Sequence, residues 1–388
     1  MVVERVLPSE EARDLLDMVG DLARTELAPR VADFEARKEF PRELVRMLGR
    51  AGLLGLPYAE EFGGGAQPFE VYLQVLEELA VTWAAVALAV SVHTMTCFPL
   101  AVFGTDAQRE RWLPDLVGGD LLGAYCLSEA QSGSDAASLS TRATRVDDGY
   151  LLDGTKAWVT HGGVADYYVT FCRTSDNGSK GVSAFLVDAS AEGLNPQQPE
   201  RKMGLWSSPT ASIALDGVHI DADRLIGDEG AGMRIALTAL DSGRLGIAAI
   251  ATGLAQAALD AAVAWVTERE QFGKPVVEFQ GVNFMLADMA TGIEAARSMY
   301  LAAARRRDLG QSFGAQAAMA KLHATDTAMK TTIDAVQLFG GYGYTTEYPV
   351  ERYLREAKVM QIFEGTNQIQ RLVISRQLTA SRREGSGR

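Results

Sequence analysis

The hydrophobic period of this chain changes twice, and that limits its layout more than any other feature. Between residue 9 and about 117 apolar side chains recur at helical spacing. From about Leu121 they fall into short runs cut by turn residues, and after Gly227 and Gly230 the helical period returns and holds to the end. A segment patterned for a helix does not bury its apolar groups when extended, so the middle stretch reads as a β domain inserted between helical ones. The expected class is α+β, mainly α. It comprises an N-terminal helical domain over 1–120, a sandwich-like or barrel β domain over 121–229, a C-terminal four-helix bundle over 230–380 and a disordered tail over 381–388.

Local signals fill in this outline. Leu15, Leu16, Val19, Leu22 and Ala23 share one helical face, as do Leu44, Met47 and Leu48; the run 52–65 is rich in breakers, and Val71 opens a long buried helix reaching Phe103. Asp147, Asp148 and Gly149 form a hairpin signal between strand-like runs, as do Asn177 and Gly178, and strand character continues through Asp216 and Gly217. Long helices are expected over 234–267, 279–307 and 315–339, punctuated by loops at 268–278 and 340–348.

With 388 residues, 47% of them hydrophobic, the chain has material for a large core. Its net charge of −13 argues against nucleic acid or an anionic membrane as a partner. Small molecules and copies of itself are the expected partners, and any phosphate-bearing ligand must find local Arg, Lys or helix N-termini. The three cysteines, Cys97, Cys126 and Cys172, show no CxxC spacing and read as reduced thiols in a cytoplasmic protein rather than disulfides or a zinc site. The N-terminus lacks the pattern of an export or transit peptide. Residues 79–103 imitate a membrane span, but Ser91, His93, Thr94, Thr96 and Pro99 make its second half too polar for lipid, so a buried helix running into a cavity wall is expected.

Near the end lies the stretch with the most chemical content. Pro349 sits at a helix start, and Val350, Tyr353, Leu354, Ala357 and Met360 follow at helical spacing toward Phe363; Thr366 or Asn367 then caps a second helix carrying Ile369, Leu372 and Val373. Glu364 is thus placed on a tight Glu-Gly turn between two helices, either as a solvated turn carboxylate or as one aimed at a ligand, with Gly365 allowing close backbone approach.

Two longer motifs surround it in sequence order. The run from Tyr125 to Asp135 (YCLSEAQSGSD) puts small polar residues after a strand end, where bare amides and hydroxyls can meet a phosphorylated ligand. The second motif joins Gln337 to Gly340, Gly341, Tyr342, Gly343 and Tyr344, then to Glu347, Arg352 and Glu356. With Lys156, Ala157, Trp158, Val159 and Thr160 between them, and with the Glu364 turn, these motifs resemble the signatures of the acyl-CoA dehydrogenase family over about residues 10–378. The resemblance implies an FAD enzyme in which Glu364 is the catalytic base. Tyr125, Leu127 and Ser128 would contact the flavin, Trp158 would pack on it, Thr160 would bond near its reactive nitrogen, and Thr366 and Gln368 would complete the cofactor contacts. Ser134 would serve both cofactor and the pantetheine arm of CoA, while Asp241, Arg244 and Gly365 would meet the substrate. Arg269, Gln271, Phe272, Gln280, Gln337 and Gly341 resemble residues that hold the dinucleotide part of FAD bound mostly by a neighbouring subunit. A homo-oligomer, usually a tetramer, is implied. By spacing alone, Asp241 and Arg244 read equally as an ion pair one turn apart, Arg269 as a helix-end cation and Trp158 as β-core.

The implied reaction is α,β-dehydrogenation of an acyl-CoA to a trans-2-enoyl-CoA, with electrons passing to an electron-transferring flavoprotein, as in fatty-acid β-oxidation. An acyl-CoA oxidase, a flavin monooxygenase and a non-catalytic CoA-binding relative are the alternatives. Some family members carry the base at the position of Gly243; here glycine stands there. Phe363 replaces a frequent tyrosine, Trp206 a frequent arginine and His161 a common asparagine. His93, Thr94 and Thr96 correspond to a region that lines the acyl end of the pocket in relatives, and either limit chain length or accept a polar tail, or simply cap a buried helix.

Overall fold

The computed structural model describes residues 5–385. Helices α1 (Glu10–Leu22), α2 (Val31–Arg37), α3 (Arg42–Arg50), α4 (Phe69–Thr82), α5 (Ala84–Phe103) and α6 (Asp106–Val117) come first. Ser9 caps α1 by accepting the Ala12 N–H at 3.1 Å, and Ala12, Leu16 and Val19 form its buried face. The single long helix expected from Val71 to Phe103 is instead two. Trp83 breaks it with an extended backbone (φ −153°, ψ 97°), and its indole Nε1 donates to the buried Glu35 carboxylate at 3.0 Å. No glycine or proline marks the break, so periodicity runs through it unaware.

The strands are β1 (Gly123–Cys126), β2 (Arg142–Arg145), β3 (Gly149–Thr160), β4 (Tyr167–Arg173), β5 (Val182–Asp188), β6 (Leu194–Pro196), β7 (Thr210–Asp221) and β8 (Leu225–Ile226). They form one mixed sheet in the order β6-β7-β3-β2-β4-β5-β8, with β1 parallel to β4. β2 and β4 are joined only through Arg142 and Arg173, so the sheet divides into two leaves. Residues from both, among them Ala124, Tyr150, Tyr168, Phe185 and Ile213, share one core. Asp147, Asp148 and Gly149 do turn β2 into β3, whereas Asp216 and Gly217 form an irregularity within the continuous β7, where the Gly217 N–H donates to Asp153.

The chain then enters α7 (Gly232–Glu268), the short β9 (Glu270–Gln271) and β10 (Lys274–Pro275), α8 (Gln280–Asp308), α9 (Gly314–Phe339), α10 (Val350–Met360) and α11 (Asn367–Gly385). α7 runs through the middle of the molecule. Its small residues allow close approach: a side chain at Gly253 would collide with the Glu77 carbonyl of α4. The tail expected to be disordered from 381 continues as helix to Gly385, in keeping with the absence of glycine or proline between Thr366 and that residue; 386–388 lie outside the described residues. α5 and α7 are long and apolar enough to cross a bilayer, but 78% of each qualifying stretch is buried inside the fold, as befits core helices.

Candidate active site

The turn between α10 and α11 is held in an uncommon shape. Glu364 has φ 51° and Gly365 φ 89°, both left-handed, which costs a residue with a side chain about 1 kcal/mol or more. The surroundings fix it there. Gln370 Nε2 donates to Gly365 O at 2.8 Å and Glu364 O at 3.3 Å, and Thr366 Oγ1 accepts the Ile369 N–H at 3.2 Å, capping α11. From α9, Lys321 Nζ donates to Gly365 O and to Asn367 Oδ1, each at 2.9 Å, while Asn367 Nδ2 donates to Thr325 and Asp326.

The Glu364 side chain points inward against α7. Its Oε2 is sealed from solvent and has no hydrogen-bond partner among the described residues. Burial pushes the carboxyl up to about 7, with Lys321 and Arg244 opposing. A side chain at Gly243 would occupy the same space, its Cβ 2.5 Å from Oε2. Two residues before and one after that glycine, Asp241 and Arg244 form an ion pair, Arg244 being nearly buried. Gly243 and Met95 line a cavity whose walls include Tyr58, Tyr72, Ser91, Thr94 and Phe98, with Arg307 reaching in from the end of α8 over the Phe69 ring.

On the β side, β1 ends at Cys126 and the small-residue loop follows. Glu129, buried, pairs with the fully buried Lys156 at 2.8 Å and accepts from the N–H groups of Ser140 and Thr141; Lys156 also donates to Leu127 O at 3.3 Å. Burial opposes ionisation of Glu129, yet Lys156 and these donors hold its carboxyl down at about 2. The pair anchors the loop from inside and leaves Ser134 exposed. Further along, β3 slips register between Lys156 and Val159, and Trp158 turns outward with φ 62° and 63% exposure. Trp158 is therefore not β-core. Leu127 is buried, Ser128 and Thr160 are half-buried, and the Tyr125 phenol is already engaged with Ala236 O at 3.2 Å.

Of the other expected cofactor residues, Arg269, Gln271 and Gly341 meet at the end of α7. Arg269, Gln271, Gly340 and Gly341 line a groove floored by Trp265 and Phe339, which stack at 4.8 Å. Gln280 and Gln337 are exposed on the helices that flank these loops, Gln368 is exposed at the start of α11 beside the Glu364 turn, and Phe272 is 94% exposed with φ 54°. A Cβ at Gly341 would meet nothing within 4 Å, so backbone there is open to a ligand. A guanidinium held over the Tyr342 ring with no salt bridge among the described residues, an open glycine backbone and an outward-facing indole suit the phosphates and ring of FAD. Among the described residues, none from the β domain lines this groove.

The geometry bears on three residues whose roles the sequence leaves open. His93 is no pocket residue: Nε2 donates to Leu116 O at 2.7 Å and Nδ1 accepts the Gly123 N–H at 3.0 Å, and burial drives its pKa down to about 4. Thr96 bonds back to Val92 O in its own helix, which leaves Thr94 as the one of the three that lines the cavity. Trp206 is clamped between Lys38 and Arg355, a packing role. Residues unmarked by sequence reasoning were Lys321, Tyr72, Met95 and Arg307. A lone lysine in an alanine stripe was the one available signal for the first.

Comparison with known proteins follows the same outline. The family models described as acyl-CoA dehydrogenase N-terminal, middle and C-terminal domains match residues 9–120, 124–218 and 230–379. The chain is 46% identical over 363 residues to an acyl-CoA dehydrogenase of Bacillus subtilis (strain 168), covering 93% of this chain and 96% of that one. Among solved structures it is similar to butyryl-CoA dehydrogenase from Megasphaera elsdenii, with a TM-score of 0.95, 40% identity and coverage of 97% and 100%. A chain from structural work on the electron transferring flavoprotein of Acidaminococcus fermentans gives a TM-score of 0.95, 40% identity and coverage of 97% and 99%.

Proposed function

The chain belongs to the acyl-CoA dehydrogenase family, FAD-dependent oxidoreductases of acyl-CoA thioesters, and on that premise we propose that Glu364 removes the α-proton of a saturated acyl-CoA to give a trans-2-enoyl-CoA. The observation that carries this is the sealed, unpartnered Glu364 Oε2 beside the cavity. A carboxyl raised to about 7 is ionised in part at neutral pH yet basic enough to take a proton from a weak carbon acid. Among the described residues no acceptor takes the Glu364 backbone N–H, which is free to stabilise charge on the thioester oxygen. FAD, when bound, accepts the β-hydrogen as hydride. Trp158, Thr160, Leu127 and Ser128 orient the ring, and Arg269, Gln271, Phe272, Gln280, Gln337, Gly341, Thr366 and Gln368 hold the rest of the cofactor.

Ser134, Asp241 and Arg244 take the CoA arm in this reading, and the small, partly hydroxylated cavity favours a short or branched acyl group. The butyryl substrate named for the Megasphaera relative supports the short-chain preference. Exposed Phe272, Phe284 and Tyr344 favour assembly into a homotetramer that shares each FAD between neighbours. The electron acceptor is an electron-transferring flavoprotein, which the Acidaminococcus match supports, and the enzyme acts in cytoplasmic fatty-acid β-oxidation.

The test is anaerobic flavin absorbance during titration with a panel of saturated acyl-CoAs, beside Glu364→Gln. Bleaching in the parent protein, with binding but no bleaching in the variant, is the expected result. Bleaching by the variant would remove Glu364 from the role.

A further inference from the structure

Lys321 is a charged group that the chemistry above leaves unused. It sits on α9 among Ala317, Ala318, Ala320, Ala324, Thr325 and Ala328, all buried, and is itself fully buried. An ammonium in such surroundings is costly unless acceptors meet its N–H groups. The acceptors here are neutral, Gly365 O and Asn367 Oδ1, and both belong to the turn that carries Glu364. Gly365 O also accepts from Gln370, so this peptide is gripped from α9 and α11 together, and the left-handed residue before it has little freedom to relax.

From this geometry we infer that Lys321 is a positioning residue for Glu364: it pins the Gly365 carbonyl so that the carboxylate faces the cavity, and its buried charge favours the ionised base. The inference rests on the reading of Glu364 as that base.

The electrostatic surroundings of Glu364 leave Lys321 this part. From α7, Arg244 faces the carboxylate, but its guanidinium is shared with Asp241. The phenols of Tyr72 on α4 and Tyr125 on β1 are uncharged neighbours whose ionisation burial opposes, Glu364 adding to that, and from α5 the uncharged Met95 reaches the same volume. On α9, Asp326 faces Lys321. Burial pulls Lys321 down to about 8, with Glu364 the leading influence in the other direction, as expected for two groups that sense each other across one turn.

The test uses FAD-loaded Lys321→Met, which keeps the stem and removes charge and donors. KM for the best acyl-CoA should stay within about twofold, since Lys321 touches no substrate. The limiting rate of anaerobic flavin bleaching should fall about tenfold, and its acid limb should move up by about one pH unit. Calorimetric proton uptake on binding a trans-2-enoyl-CoA, measured in two buffers of different ionisation enthalpy, should move with it. An unchanged acid limb and unchanged proton uptake, whatever happens to Tm, would overturn the inference. Should Lys321→Met fail to fold, Lys321→Gln, neutral but still a donor, must show the same displacement, and its absence overturns the inference equally. A parallel Glu364→Gln protein that still bleaches would instead overturn the base assignment, and the two failures are distinguishable.

Discussion

A Cβ placed on Gly243 would stand 2.5 Å from Glu364 Oε2 and 2.7 Å from Met95 Sδ. Helix α7 and the Glu364 turn therefore compete for one volume, and the chain fills it from the turn. Gly243→Ala should displace the carboxylate and lower the flavin-bleaching rate about 100-fold while acyl-CoA binding persists, as stopped-flow and equilibrium titration will report. A rate within a few-fold of the parent would mean that Met95 yields instead.

The same competition predicts a relocation. Glu364→Gly removes the base, and adding Gly243→Glu to it returns a carboxylate to the vacated volume. The double variant should recover part of the bleaching rate that Glu364→Gly loses, while Gly243→Glu alone, with two carboxylates in one space, should be less stable than the parent by thermal unfolding.

Burial of Glu364 also has a stability cost with a definite pH dependence. Its carboxyl rises from 4.5 to about 7 on folding, so its contribution is fully present below 4.5 and is lost as pH rises through about 7. Glu364→Gln, uncharged throughout, should match the parent near pH 4 and be more stable by up to about 3 kcal/mol at pH 8. Denaturant titrations of both proteins across that range check it; a constant difference at all pH values would contradict the assignment.

Glu129 behaves in the opposite sense, its carboxyl held down at about 2 by its buried ion pair. Lys156→Met leaves a buried carboxylate unpaired and should cost about 3–5 kcal/mol. Because the pair secures the loop from Leu127, the variant should also retain less FAD, read as the ratio of flavin to protein absorbance. Full flavin content would separate the loop's order from the ion pair.

His93→Ala should lower Tm, since it strands the Leu116 carbonyl and the Gly123 N–H at a cost of about 2 kcal/mol or more, without changing acyl preference. Met95→Ala, which enlarges the cavity beside Gly243, should favour longer or branched acyl-CoAs over butyryl-CoA by several-fold in kcat/KM. Equal behaviour of the two variants would refute the cavity assignment.

How much of this was legible in the sequence depended on how local the signal was. The Glu364 turn could be read because two helical runs, a Glu-Gly step and a threonine cap lie within a few residues. The break at Trp83 could not, because it is made by a contact with Glu35, distant in sequence, and leaves no breaker residue behind. Asp-Gly at 147–149 and at 216–217 look alike, yet one reverses the chain and the other only kinks β7, since what decides is whether a partner strand continues opposite. Arg307 enters the cavity from the end of an expected helix, where periodicity gives no hint of a ligand-facing side chain. Lys321 was hidden by its own chemistry, because a lysine in an alanine-rich helix is ordinarily an exposed one.

The outward turn of Trp158 has an optical consequence. Of the five tryptophans, Trp83 and Trp112 are buried, Trp206 is clamped by two cations and Trp265 stacks on Phe339. Trp158 alone is mostly open to water, so the red edge of the chain's fluorescence belongs to a single indole. The molecule thus carries a built-in reporter at one face, and any planar ring that settles there will dim that emission before the rest.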